Sequence, residues 1–239
     1  MPIKAVLFDM FDTLMLIEKD HEFYSPSILR MYRYLFAQGI QVAFDEFEET
    51  YVNERNRILS EANLNFKEPH FNVRVAATLN SLGYNYAVSD PVVAMATSEF
   101  CEEFMKYVKI DADTKETLKA LNKKYRLGMI SNFAIPECVF KLLKTSGIAK
   151  FFEVIIVSGA VNKRKPGQEI FEDTLKLMNI SSDETVFVGD TIEADIEGAK
   201  AVGLKAIYIE RRVQECSKKY APDKIIKRLC ELPTVIEIL

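Results

Sequence analysis

The chain has 239 residues, 31 of them Lys or Arg and 35 Asp or Glu, for a formal net charge of −4. That length holds one large domain, or one domain carrying a smaller one, and a 49% hydrophobic content supplies a sizeable core. The acidic balance argues against a nucleic-acid or anionic-membrane surface, and no apolar run approaches the ~20 residues of a membrane span. No signal-peptide pattern, internal repeat or low-complexity tract is found. Cys101, Cys138, Cys216 and Cys230 have neither metal-ligand nor redox spacing, which suits reduced thiols in a cytoplasmic protein.

Residues Ile3 to Phe8 are apolar and β-branched apart from Lys4, the pattern of a strand buried on both faces. The run stops at Asp9, and Asp12 follows three residues later. Open α/β sheets gather ligands at the carboxyl ends of their strands, so both carboxylates stand where chemistry is done. One can attack or bind a metal while the other moves protons. The alternative is a turn in which Asp12 caps a following helix.

Strand signals then cease for about a hundred residues, to about residue 110. Ser25-Pro26 opens a helix with Ile28, Leu29, Met31, Tyr32, Leu35 and Phe36 at helical spacing, ended by Gly39. Asp45 opens a second that frays near Asn63, and Phe71 to Leu82 reads as a third, ended by Gly83. Ser89-Asp90-Pro91 starts a fourth, through Phe100, Phe104 and Met105. Amphipathic helices in unbroken succession bury their faces against each other, so 16–95 reads as a helical bundle inserted into the main domain. The fourth helix leads back toward that domain. Glu18, Asp20, His21, Phe23 and Tyr24 stand at the bundle entrance, within reach of a substrate. Neither His21 nor His70 receives a role.

From residue 111 helices and strands alternate. Asp113-Thr114 opens a helix, and Leu127 to Ile130 is a strand ending in Ser131-Asn132. Ile135-Pro136 starts a helix that Gly147 closes. Val154 to Val157 is a strand, followed by a loop with Lys165-Pro166. Phe171 to Met178 is helical. Thr185 to Val188 is a strand ending in Gly189-Asp190-Thr191, and Ile192 to Val202 is a helix with Asp195 in its first turn. Leu204 to Ile209 is a last strand, and the tail 211–239 packs on the edge. Such alternation implies an α/β fold, a parallel sheet with helices on both faces.

With the first strand between the second and fourth, Asp9, Asp12, Ser131, Asn132, Asp190 and Asp195 converge on one rim, within reach of Lys165. Gathered carboxylates raise each other's pKa values, and a hard divalent cation relieves them. Oxygen-only ligands with room for water suit Mg²⁺. The metal and Lys165 then make a site for a dianion, with Ser131 and Asn132 donating to its oxygens. A phosphoryl group fits, because its transfer needs positioning and charge neutralisation above all. Proximity makes Asp12 the candidate for proton transfer.

Taken in order, Asp9-Met10-Phe11-Asp12-Thr13-Leu14, Ser131-Asn132, Lys165-Pro166 and Gly189-Asp190-Thr191 with Asp195 make the chain resemble the haloacid dehalogenase superfamily of hydrolases, helical-cap members. The resemblance implies a Rossmann-like core over 1–15 and 96–239, a helical cap over 16–95, and Asp9 as nucleophile. It implies metal ligation by the acids of the first and fourth motifs, Asp9, Asp190 and Asp195, and by a backbone carbonyl at Phe11. One position departs from the family pattern. The family's proton-transfer acid falls two residues after the nucleophile, on Phe11, while Asp12 falls on the expected glycine. The family's 2-haloacid dehalogenases lack that acid and need no metal, but their fourth motif usually lacks the acid that stands here as Asp190. The resemblance therefore implies a Mg²⁺-dependent phosphatase acting on a small phosphorylated metabolite through an aspartyl-phosphate. The alternatives are a metal-independent dehalogenase and a non-catalytic member that binds a ligand or a partner protein.

Overall fold

The structure is a computed structural model that describes residues 2–18, 22–212, 214 and 220–239. A six-stranded parallel sheet has the order β5-β4-β1-β6-β7-β8. Its strands are β1 (Ala5–Phe8), β4 (Arg126–Ser131), β5 (Val154–Val157), β6 (Thr185–Gly189), β7 (Lys205–Ile209) and β8 (Lys224–Ile226). All four β1 residues are buried, as a central strand covered on both faces requires. Side chains alternate across it. Val6 and Phe8 enter one apolar cluster, and Ala5 and Leu7 enter another with Phe171 and Phe187. The register pairs Phe8 with Met129 and with Val188, so the carboxyl ends of β4, β1 and β6 lie side by side.

Two short strands, β2 (Met15–Ile17) and β3 (Val108–Ile110), pair antiparallel and form a neck. Between them run α1 (Tyr24–Ala37), α2 (Phe44–Asn65), α3 (Phe71–Ser81) and α4 (Pro91–Phe104). Asp90 accepts the Val92 N–H and Pro91 takes the first turn, so α4 starts where its capping sequence dictates. His70 does the same for α3, its Nδ1 accepting the Asn72 N–H. A boundary at residue 95 falls inside α4, which runs on to Phe104 along α1 with Arg30 donating to Glu99 at 2.6 Å. In the chain, β2 and β3 thus stand before and after the four helices.

The remaining helices include α5 (Thr114–Leu121), α6 (Pro136–Ser146), the single turn α7 (Ser158–Val161) and α8 (Gln168–Met178), and the chain closes on a short helix over Leu232–Glu237. The expected helix after β6 instead begins with a wide π-type stretch, Ile192–Glu197, before one α-helical turn, Gly198–Ala201. The tail adds the edge strand β8. Among the described residues, no helix is long and apolar enough to cross a membrane. Cys101, Cys138 and Cys230 are free thiols, and Cys216 lies outside the described residues.

Candidate active site

Asp9 follows β1, Asp190 follows β6, and Asp195 sits in the π-type stretch beyond. All three are buried, and each offers an oxygen within 4.8 Å of the other two. Opposite ligands stand about 4 Å apart across a Mg²⁺ ion, so one such cation covers this span with small adjustments. Lys165 reaches in with its Nζ 2.7 Å from both Asp9 Oδ1 and Asp195 Oδ1. The lysine therefore bridges Asp9 and Asp195, not Asp9 and Asp190. Asp195 Oδ2 accepts the Thr191 N–H at 3.0 Å. This packing depends on Gly189, where a Cβ would lie 2.4 Å from the Asp195 carboxylate.

The charges do not balance. Burial pushes the Asp9 carboxyl up to about 6, although Lys165 opposes the shift. Burial, with Asp9 and then Asp195 nearby, pushes Asp190 up to about 8. Burial would lower the Lys165 ammonium, but Asp195 and Asp9 outweigh it and hold it above the usual lysine range. Among the described residues no cation pairs with Asp190, whose carboxylate receives a long 3.4 Å contact from the Thr191 hydroxyl. Three acids and one ammonium are two positive charges short. A divalent cation supplies both, so the residues fit one.

Ser131, at the end of β4, has a buried hydroxyl with no hydrogen-bond partner, an orphan that calls for an acceptor. Asn132 behaves otherwise than expected. Its Nδ2 donates to the Lys165 carbonyl at 2.8 Å and its Oδ1 accepts the Lys165 N–H at 2.9 Å. The amide is committed to holding the lysine loop rather than turned to a ligand. The next residue is fixed in the same manner. Phe133 donates its N–H to Ser158 Oγ at 2.8 Å, and Ser158 donates to the buried Glu68 at 2.6 Å.

Asp12 adopts the left-handed region, φ +57°, which favours glycine and tolerates Asp. Its Oδ1 accepts the Ile17 N–H at 3.0 Å and its Oδ2 accepts from Arg212 at 2.9 Å. Arg211 donates to the Asp12 and Thr13 carbonyls, each at 3.0 Å. The Phe11 ring packs against Phe133 and Phe104, with centroids at 4.8 and 5.5 Å. Phe23 packs on Phe104 at 4.7 Å.

These rings and the acids line one cavity of about 420 Å³, together with Arg164 and Arg212. Of the entrance residues, Phe23 lines it. Glu18 pairs with Lys109 at the neck, and the Tyr24 hydroxyl meets that of Tyr51 inside the insert. Asp20 and His21 lie outside the described residues. The sequence reading missed Arg164, Arg212, Phe104, Phe133, Ser158 and Glu68. Only Arg164 and Phe133 carry a local signal, as neighbours of Lys165 and Asn132.

The family model described as haloacid dehalogenase-like hydrolase matches residues 3–203. The glyceraldehyde 3-phosphate phosphatase of Pyrococcus furiosus is 30% identical over 99% of this chain and 93% of its own. Among solved structures, a HAD phosphatase from Thermococcus onnurineus superposes with a TM-score of 0.65 at 26% identity, covering 98% of both chains. A 2-haloacid dehalogenase from Pseudomonas syringae reaches a TM-score of 0.74 at 24% identity over 99% of both, a likeness of fold.

Proposed function

The chain belongs to the haloacid dehalogenase-like hydrolases, and on that premise we propose that it hydrolyses the phosphoric ester of a small metabolite, with Asp9 as nucleophile and Mg²⁺ as cofactor. The observation that carries this reading is Asp190, a buried acid with a raised pKa and no paired cation among the described residues. Phosphatase relatives that match most of the chain support the same reaction. Asp9, Asp190 and the Phe11 carbonyl would hold the ion. Asp195, with both oxygens accepting hydrogen bonds from Lys165 and Thr191, secures the lysine and joins the ion less directly. Bound there, Mg²⁺ supplies charge neutralisation to a transferring phosphoryl group.

The chain's own groups do the rest. Lys165 holds the Asp9 carboxylate by one oxygen and leaves the other to attack phosphorus. The orphaned Ser131 hydroxyl donates to a phosphoryl oxygen. Asn132 keeps the Lys165 loop in place, and the helical insert closes the site as a cap.

The test is turnover of 4-nitrophenyl phosphate. Mg²⁺ should support it, and EDTA and Asp9→Asn should each abolish it. The dehalogenase reading is favoured by Phe11 alone. Halide release from 2-chloropropionate in EDTA, without phosphatase activity, would replace the present reading with that one.

A further inference from the structure

Cleaving a phosphate ester leaves an oxygen that must either take a proton or carry the negative charge away. Among the described residues lining the cavity, none is placed to give that proton. Phe11, which lines the cavity together with Asp9, offers only a ring. Both Asp12 oxygens accept hydrogen bonds, from the Ile17 N–H and from Arg212. Lys165 turns its ammonium to Asp9 and Asp195. Arg164 and Arg212 are guanidinium groups, which do not release protons. Asp9 is the attacking group, and Asp190 is assigned to the ion.

The wall facing the reaction is aromatic. Phe11, Phe23 and Phe133, all partly exposed, surround Phe104, with Phe104 and Phe133 at 5.0 Å. Ile17 extends the apolar lining. Such a wall offers apolar area and ring-on-ring contact to an aromatic group, and its rings offer nothing to the hydroxyls of a sugar phosphate. The cavity, about 420 Å³, is large enough for one ring and a phosphate.

We infer that the substrate is an aryl phosphate, the ester of an aromatic hydroxyl. This rests on the phosphatase reading above. An Asp9 carboxylate oxygen forms a bond to phosphorus, and the bond from phosphorus to the phenolic oxygen breaks with its electron pair on that oxygen. The product leaves as a phenolate and takes its proton from water outside the site. Water then attacks phosphorus, the bond from phosphorus to the Asp9 oxygen breaks with its electron pair on the carboxylate, and the water's protons stay on the departing phosphate or pass to solvent, giving hydrogen phosphate and free Asp9. A phenol, with a pKa of about 10, leaves without help. An alkanol, far less acidic, does not.

The test compares kcat/KM in Mg²⁺ for 4-nitrophenyl phosphate, phenyl phosphate, acetyl phosphate and glycerol 3-phosphate. Phenyl phosphate should exceed glycerol 3-phosphate by roughly 10² or more, the usual contribution of a general acid. The rate should rise steeply from phenyl to nitrophenyl. Acetyl phosphate has a good leaving group and no ring, so it should fall below phenyl phosphate; the reverse order would remove the aromatic assignment. Phe11→Asp should raise the glycerol-to-phenyl ratio at least about tenfold. If that variant does not fold, the wild-type series decides alone. Equal kcat/KM for phenyl phosphate and glycerol 3-phosphate would overturn the inference while leaving the phosphatase reading intact. No Mg²⁺-dependent turnover of any of the four would overturn both.

Discussion

Asp12 is a residue whose conformation explains its identity. A turn that sends the chain from β1 back into β2 needs φ +57° at this point. Asp meets that need because its short carboxylate binds the nearby Ile17 N–H. The same bond turns the group away from proton transfer. Asp12→Asn keeps the Oδ1 acceptor and loses the charge facing Arg212. Turnover of phenyl phosphate should then stay within about threefold of wild type, against the roughly 10²-fold loss expected if Asp12 supplied the proton. Steady-state rates across neutral pH check this. At this scale the sequence exposed side-chain chemistry but not direction. Asp9 and Asp190 were legible because a strand end dictates where they stand, and Lys165 because its loop lies beyond the end of another strand. Asn132 was legible as a site residue, yet its amide faces the Lys165 backbone, 33 positions further along the chain. Glu68 and Ser158, 90 positions apart, meet only through the tertiary fold.

The turn after β6 is the element on which the acid cluster depends. Gly189 lets the Asp195 carboxylate lie against the strand end, and the π-type stretch carries Asp195 back to it. Gly189→Ala brings a methyl to 2.4 Å from that carboxylate. Overpacking of this kind typically costs about 1–3 kcal/mol, and here it displaces the group that holds Lys165. Urea unfolding should show that loss of stability, and turnover should fall by more than stability alone explains. Full activity with wild-type stability would mean that Asp195 does not hold Lys165 in place. The long runs of buried residues that make β1, β4 and β6 were readable because a strand covered on both faces leaves an unbroken apolar signature. The three-residue strands β2, β3 and β8 have no room for a period. The wide turn at Ile192–Glu197 has the composition of an ordinary helix, so nothing local distinguishes it.

At the scale of the molecule, the sheet gathers more negative charge than the fold itself neutralises. Asp9 and Asp190, ordinarily near 3.8, are held up to about 6 and about 8 in the metal-free chain. Between those values and 3.8 the folded chain keeps protons that the unfolded chain has released. Folding stability from these two groups is therefore fully present below about pH 4 and is lost as pH rises through about 6 and then about 8. A cation reverses the trend, because it binds the ionised carboxylates and displaces their protons. In EDTA the Tm should fall between about pH 5 and pH 9. The gain in Tm on adding Mg²⁺ should widen over the same range. Asp190→Asn removes the larger of the two shifts, so its Tm in EDTA should decline less with pH and its Mg²⁺ gain should shrink at every pH. The difference between Mg²⁺ and EDTA cancels titrations elsewhere in the chain. A gain independent of pH, or one that survives in Asp190→Asn, would mean that the ion binds away from this cluster.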